Sequence, residues 1–208
     1  MDIMDVVKFF TSGGFFMYPI LLVFALGLAI AIERFFYISK TNRRTNKIWS
    51  QLVPMLKAND LQRAFKLVEN LNTPLSLVIG YGLAKHGAHK KRESIESAMD
   101  EGMMDAMPDM IKRTHYLATF ANIATLLGLL GTIVGLIQAF TAVSDADPSE
   151  KAKLLSSSIA VAMNTTAFGL IAAIPLLLIH SYLVTKTAHL IDSLEKAAVK
   201  SLNLLVKE

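Results

Sequence analysis

The chain has no cysteine among its 208 residues. That absence excludes disulfide staples, thiolate chemistry and cysteine-rich zinc sites, and it leaves the compartment open. Charge is also scarce, at 18% of residues, and it is unevenly spread. Three long runs contain no Asp, Glu, Lys or Arg: Phe15 to Ile32, Tyr116 to Ser144 and Leu154 to Ile179. A bilayer takes roughly 20 residues of helix at about 1.5 Å per residue, so each run is close to or beyond the length of a span. The usual signatures of catalysis are missing as well. There is no phosphate-binding Walker loop, no G-x-S-x-G elbow, no H-E-x-x-H pair and no zinc-ligand spacing. Three spans leave little chain for a separate soluble catalytic domain, so the sequence reads as a non-enzyme without a cofactor or bound metal.

What is present agrees with these exclusions. Hydrophobic residues make up 53% of the chain, and the mean hydropathy is +0.45. The expected fold class is an all-α integral membrane protein, with three transmembrane helices and long cytoplasmic helical extensions. The net charge of +4 points to topology and contact with anionic membrane lipids, not to nucleic acid, because the basic residues flank the spans.

The expected organisation runs in seven parts. Residues 1–14 form an amphipathic segment at the membrane surface, broken by Thr11-Ser12-Gly13-Gly14. Residues 15–38 are the first span; its uncharged core is longer than a signal-peptide core and has no basic leader, so it is retained. Residues 39–115 are a helical cytoplasmic domain. Residues 116–144 and 154–183 are the second and third spans, joined by a loop at 145–153, and 184–208 form a C-terminal helix. Lys40, Arg43, Arg44 and Lys47 follow the first span, whereas only Lys8 precedes it. The positive-inside rule then puts the N-terminus outside and the C-terminus in the cytoplasm. The loop with Asp145, Asp147 and Glu150 falls on the outer, more acidic side.

The cytoplasmic segment shows helical spacing throughout. Ile48, Leu52, Met55 and Leu56 recur at that spacing, and Asn59-Asp60 can cap a second helix with an apolar stripe of Leu61, Ala64, Phe65 and Val68. Asn72-Thr73-Pro74 starts a third. Lys90-Lys91-Arg92 precedes a long amphipathic stretch from Glu93 to Lys112; it reads as a phospholipid or partner contact or as a solvated helix start. Met99, Met103, Met104, Met107 and Met110 read as core packing, not as a metal site. Pro108 should kink this helix or bound it, and beyond it the helix is expected to run straight into the second span. The C-terminal stripe of Leu190, Ile191, Leu194, Ala198, Leu202 and Leu205 is expected to pack on that stretch. His86 and His89 lie three apart but have no ligand partners that would make a metal site.

The second and third spans are where function concentrates. On a helical wheel Ala121, Thr125, Gly128, Thr132, Gly135 and Ala139 share one sector, and Ser158, Ala162, Thr165, Thr166, Gly169, Ala172 and Ala173 share another. Lipid gains nothing from Gly, Ser and Thr, whereas a neighbouring helix gains close approach and hydrogen bonds. Two readings stand. The hydroxyls bond their own helices and serve packing, or they line a path completed by an acidic residue on another chain, since these spans carry no carboxylate of their own. At the end of the first span, Arg34 can snorkel to the interface. Glu33 beside it is either a neutralised helix-end carboxylate or part of an ion exit.

The run Thr125-Leu-Leu-Gly128-Leu-Leu-Gly131-Thr132-Ile-Val-Gly135-Leu resembles the second-span motif of the MotA/TolQ/ExbB proton-channel family. Ser158-Ile-Ala-Val-Ala-Met-Asn-Thr165-Thr166-Ala-Phe-Gly169-Leu-Ile-Ala-Ala-Ile-Pro175 resembles its third-span motif. Ile32-Glu33-Arg34, Pro74, Gly80 and Gly82 also match, and the three-span plan resembles the ExbB and TolQ branch. The resemblance implies a homopentamer around two copies of a single-span ExbD/TolR-type partner in the bacterial inner membrane. The partner's intramembrane Asp would carry the ion past Thr132 and Thr166, with Thr125, Thr165 and Ser158 along the path. Gly128, Gly131, Gly135, Gly169 and Pro175 would serve helix packing. The work would reach the envelope through the partner and, in the ExbB case, a TonB-like protein. The chain departs from the pattern at Val161, where relatives often carry Glu. Thr165 adds a hydroxyl that resembles sodium-driven members, although the proton is the default ion. The rival reading from another class is a non-conducting oligomeric scaffold. A solute transporter is disfavoured, because no broken helix pair or charged mid-membrane site is present.

Overall fold

The computed structural model describes residues 10, 13–88, 91–144 and 147–206, and every regular element within them is an α-helix. Six helices follow in order: α1 (Met17–Lys57), α2 (Leu61–Glu69), α3 (Pro74–Ala88), α4 (Arg92–Ile111), α5 (Thr114–Ser144) and α6 (Pro148–Leu205). Three apolar stretches, in α1, α5 and α6, are long enough to cross a membrane. The all-α membrane fold expected from the sequence is what is found. Most of the surface segment expected over residues 1–14 lies outside the described residues, as do His89, Lys90 of the basic triplet, and Asp145.

The chain divides into two compact units. The first comprises Met1–Ile32 and Arg113–Ser181. Its buried side chains are mostly small: Ala31, Ala121, Ala124, Ala139, Ala162, Ala172 and Ala173, with Met17, Ile20, Leu117 and Leu176 as the larger ones. Small residues let helix backbones approach, and packing between them replaces a hydrophobic driving force that lipid tails do not supply. The large apolar residues point outward instead, Leu126, Ile133, Ile137, Met163, Ile171 and Leu178 among them. Only 22–28% of the three apolar windows is buried within the chain. The rest requires lipid or neighbouring chains.

The second unit comprises Glu33–Lys112 and Tyr182–Glu208. It has a core of the soluble type, built from Leu52, Leu56, Val68, Leu75, Ile79, Ile95, Met99, Met110, Leu190, Leu194 and Leu202. Each large apolar side chain buried there is worth roughly 1.5–3 kcal/mol. Four of the five methionines of α4 behave as packing residues: Met99, Met103 and Met110 are buried and Met107 packs beside them, whereas Met104 is exposed. The C-terminal stripe joins the same core, and Arg92 donates to Asn203 Oδ1 at 2.8 Å.

Local chemistry sets the short turns. Asn59 is left-handed at φ 55°. Asp60 N–H reaches back to Met55 O at 2.9 Å and Asn59 N–H to Leu56 O at 3.2 Å, a Schellman ending for α1. Asp60 then caps α2 by accepting from Arg63 N–H at 3.2 Å. At α3, Thr73 and Ser76 form a reciprocal box. Thr73 N–H donates to Ser76 Oγ at 2.9 Å and Ser76 N–H to Thr73 Oγ1 at 3.3 Å, with Pro74 as the first helical residue. Gly102 lets α4 lie against α3: a Cβ there would stand 2.9 Å from Leu77 O and 3.0 Å from Val78 Cα.

One expectation about the backbone fails. The helix after Pro108 does not run straight into the second span. It continues past the proline to Ile111, Arg113 turns left-handed at φ 64°, and a new helix starts at Thr114. A non-glycine residue in that region costs about 1–2 kcal/mol, and Arg34 supplies the compensation. Its guanidinium is fully buried. It donates twice to Asp109 O at 3.3 Å and once to Met110 O. Those are the carbonyls that the N–H groups of residues 113 and 114 would meet in an unbroken helix. The same guanidinium lies 4.6 Å from the centre of the Tyr37 ring. Arg34 is therefore a helix cap turned inward, and the snorkelling role expected for it does not hold.

Candidate functional site

The small-residue faces of α5 and α6 do meet, within the first unit. A Cβ on Gly169 would stand 2.8 Å from Ala124 O and 3.1 Å from Gly128 Cα. A Cβ on Gly128 would stand 3.3 Å from the Cα atoms of both Gly169 and Thr166. Further along, Gly131 faces the Thr165 side chain, and a Cβ on Gly135 would stand 2.9 Å from Ala162 Cβ. Positions fall along α5 as they rise along α6, so the two helices cross antiparallel, with backbone against backbone at Gly128 and Gly169. Hydrogen on Cα is the only side group that fits there.

The hydroxyls take three kinds of partner. Thr166 Oγ1 donates across the helix pair to Gly128 O at 2.8 Å. Thr132 Oγ1 donates to Leu129 O at 2.6 Å and Thr125 Oγ1 to Ala121 O at 3.1 Å, both within α5. Thr165 is only 2% exposed; its hydroxyl lies 2.5 Å from Gly13 O and 3.1 Å from Val161 O. Thr165 thus ties the chain just before α1 to the third span. Ser158 is half-buried on α6, and Pro175 lies inside α6 without ending it. Glu33 is exposed on α1 beside the buried Arg34.

This pattern has a chemical consequence. A threonine oxygen whose proton is given to a carbonyl keeps its lone pairs. Thr132 and Thr166 therefore present acceptors, able to take a hydrogen bond from a protonated acid or to ligate a cation, but they have no proton left to give. Sequence reasoning found the face and missed one of its partners, the Gly13 carbonyl, which carries no signal in residue type. Outside the face, in the second unit, the inward turn of Arg34 is invisible without the end of α4.

The fold and these faces define an α-helical membrane protein with a closely packed, hydroxyl-bearing pair of apolar segments, residues 116–144 and 154–183, that contain no Asp, Glu, Lys or Arg. Residues 70–196 match the MotA/TolQ/ExbB proton channel family, and the chain belongs to that family. Among its relatives, a putative biopolymer transport protein ExbB homolog of Methanothermobacter thermautotrophicus is 30% identical over 91% of this chain and 67% of its own. A putative biopolymer transport protein ExbB-like 1 of Synechocystis is 31% identical over 96% of this chain and 78% of its own. The Tol-Pal system protein TolQ of Haemophilus influenzae is 35% identical over 41% of this chain and 37% of its own. The match includes both hydroxyl-bearing spans and places the chain on the ExbB and TolQ side of a channel family.

Proposed function

We propose that this chain is the ring-forming subunit of an ion-driven motor in a bacterial cytoplasmic membrane. Its N-terminus lies on the periplasmic side and its C-terminus in the cytoplasm. Five copies surround a dimer of a single-span ExbD/TolR-type protein, whose acidic residue carries a proton past Thr132 and Thr166. The proton gradient, or a sodium gradient in the second version, becomes mechanical work on that partner, serving TonB-dependent transport or envelope maintenance. No enzymatic step and no cofactor enters.

One observation carries the reading: the spanning segments of α5 and α6, residues 116–144 and 154–183, offer committed hydroxyl acceptors but contain no carboxylate. An acid that shuttles protons must then come from another chain. The largely exposed apolar windows support a ring, since one chain has too few helices to enclose a partner helix. The sodium version gains little from Thr165, whose hydroxyl is already engaged with Gly13 and Val161. The rival is a non-conducting oligomeric scaffold, and the self-bonded Thr125 and Thr132 favour it.

Reconstitution into liposomes with and without the single-span partner separates these readings, with proton and sodium uptake followed independently. Flux that needs the partner, falls in Thr132→Val and Thr166→Val, and returns in Thr166→Ser supports the motor and names the ion. Flux indifferent to both valine variants refutes the hydroxyl path, and a stable complex that never conducts favours the scaffold.

A further inference from the structure

We propose that a recess between α1 and α6 in the second unit binds the phosphate headgroup of an anionic phospholipid. The inference rests on the membrane-spanning reading of the chain and not on ion conduction. The recess has a volume of about 350 Å³, within the range of roughly 300–1,000 Å³ typical of small-ligand sites. Its floor is apolar, with Ile38, Leu183 and Leu190 each at most 4% exposed.

The order of residues along the two helices matches the order of groups in a phospholipid. The uncharged run of α1 ends at Ile32 and that of α6 at Ile179. Three residues further on stand Phe35 and Tyr182, whose rings stack at 6.4 Å and 26°. Aromatic rings suit the level of the glycerol and upper acyl chain. Beyond them come Ser39 and Asn42, which can donate hydrogen bonds. The cations come last: Arg43 on α1, about 12 Å along the helix from Phe35, and Lys186 on α6, with His189 one turn further. Lys186 Nζ sits 5.5 Å over the Tyr182 ring, which holds it at the recess. Among the described residues, none that lines the recess is acidic. Its cations therefore await an anion from outside. A free anion would not need the aromatic pair, and an acidic protein segment would not need the recess to start where the spans end.

The test uses the full chain purified in detergent. It is incubated with equal amounts of phosphatidylglycerol and phosphatidylcholine, and retained lipid is read by native mass spectrometry. Arg43→Gln with Lys186→Gln removes the two cations at exposed positions. Lys57→Gln with Lys200→Gln removes the same charge from another groove. The expected result is selective retention of phosphatidylglycerol, an affinity loss of about thirtyfold in the first pair, and little change in the second. Equal retention by the first pair overturns the proposal, as does an equal loss in the second. Displacement of the lipid by millimolar inorganic phosphate also overturns it, by making the recess a simple anion site.

Discussion

Replacing Arg34 by Met keeps most of the side chain's length and apolar stem but removes every donor. In the native chain the guanidinium bonds the carbonyls of Asp109 and Met110, and the residue is fully buried. A buried acceptor left unmade costs about 1–3 kcal/mol. Met110 O is such an acceptor, on a fully buried residue, and Asp109 O, on an exposed residue, is partly buried, so the expected loss is about 3 kcal/mol. The loss should be local, because these bonds close the break between α4 and α5. Hydrogen exchange on the detergent-solubilised chain, followed by mass spectrometry, is the direct assay. Amides in 110–118 should exchange about a hundredfold faster in Arg34→Met, since each 1.4 kcal/mol is a factor of ten. Peptides covering α2 and α3 should be unchanged. Arg34→Lys keeps the charge but not the fork, and should fall about halfway. Arginine stays protonated at any workable pH, so the effect should not vary with pH. Unchanged protection in 110–118, or an equal loss across α2 and α3, would refute the account of Arg34 as the cap of this break.

Two further outcomes follow from the same geometry. Gly169→Ala places a methyl against two backbone atoms, at 2.8 and 3.1 Å, and should destabilise the first unit by about 1–3 kcal/mol; Gly87→Ala, with nothing within 4 Å, should leave Tm unchanged or slightly higher. Tyr81 donates to Asp105 Oδ2 at 2.8 Å, and that hydrogen bond, followed by the Asp105 charge, raises its pKa above the ordinary tyrosine value. The folded state holds this proton more tightly, so the contribution is intact below about pH 10 and is lost as pH rises through the folded value. Ultraviolet titration should see Tyr81 titrate late in the native chain and at lower pH in Asp105→Asn, which removes the charge that contributes to the shift.

Much of this fold could be read from residue order. Three charge-free runs gave the spans, the Thr73-Pro74 step gave the start of α3, and the Gly and Thr spacing gave the face on which α5 meets α6. The break at Arg113 could not be read. The buried positions Met103, Ala106, Met110, Thr114, Leu117 and Ala121 keep a helical rhythm across it, so no change of period marks the site. Left-handed backbone is favoured by glycine, and arginine there gives no warning. The hydroxyls were visible as residue types only. Whether a threonine bonds its own helix, as Thr132 does, or its neighbour, as Thr166 does, depends on which carbonyl the crossing brings within reach.

The tie between Thr165 and the Gly13 carbonyl spans 152 residues of sequence. At a synthesis rate of about 5–20 residues per second, Gly13 emerges roughly 8–30 s before its partner. Through that interval the first span is already made but has no third span to hold it. The bond can close only once residue 165 has left the ribosome. A truncated product ending before α6 therefore lacks the contact that fastens the start of the first span, and it reaches the membrane as an unfinished unit open to quality control.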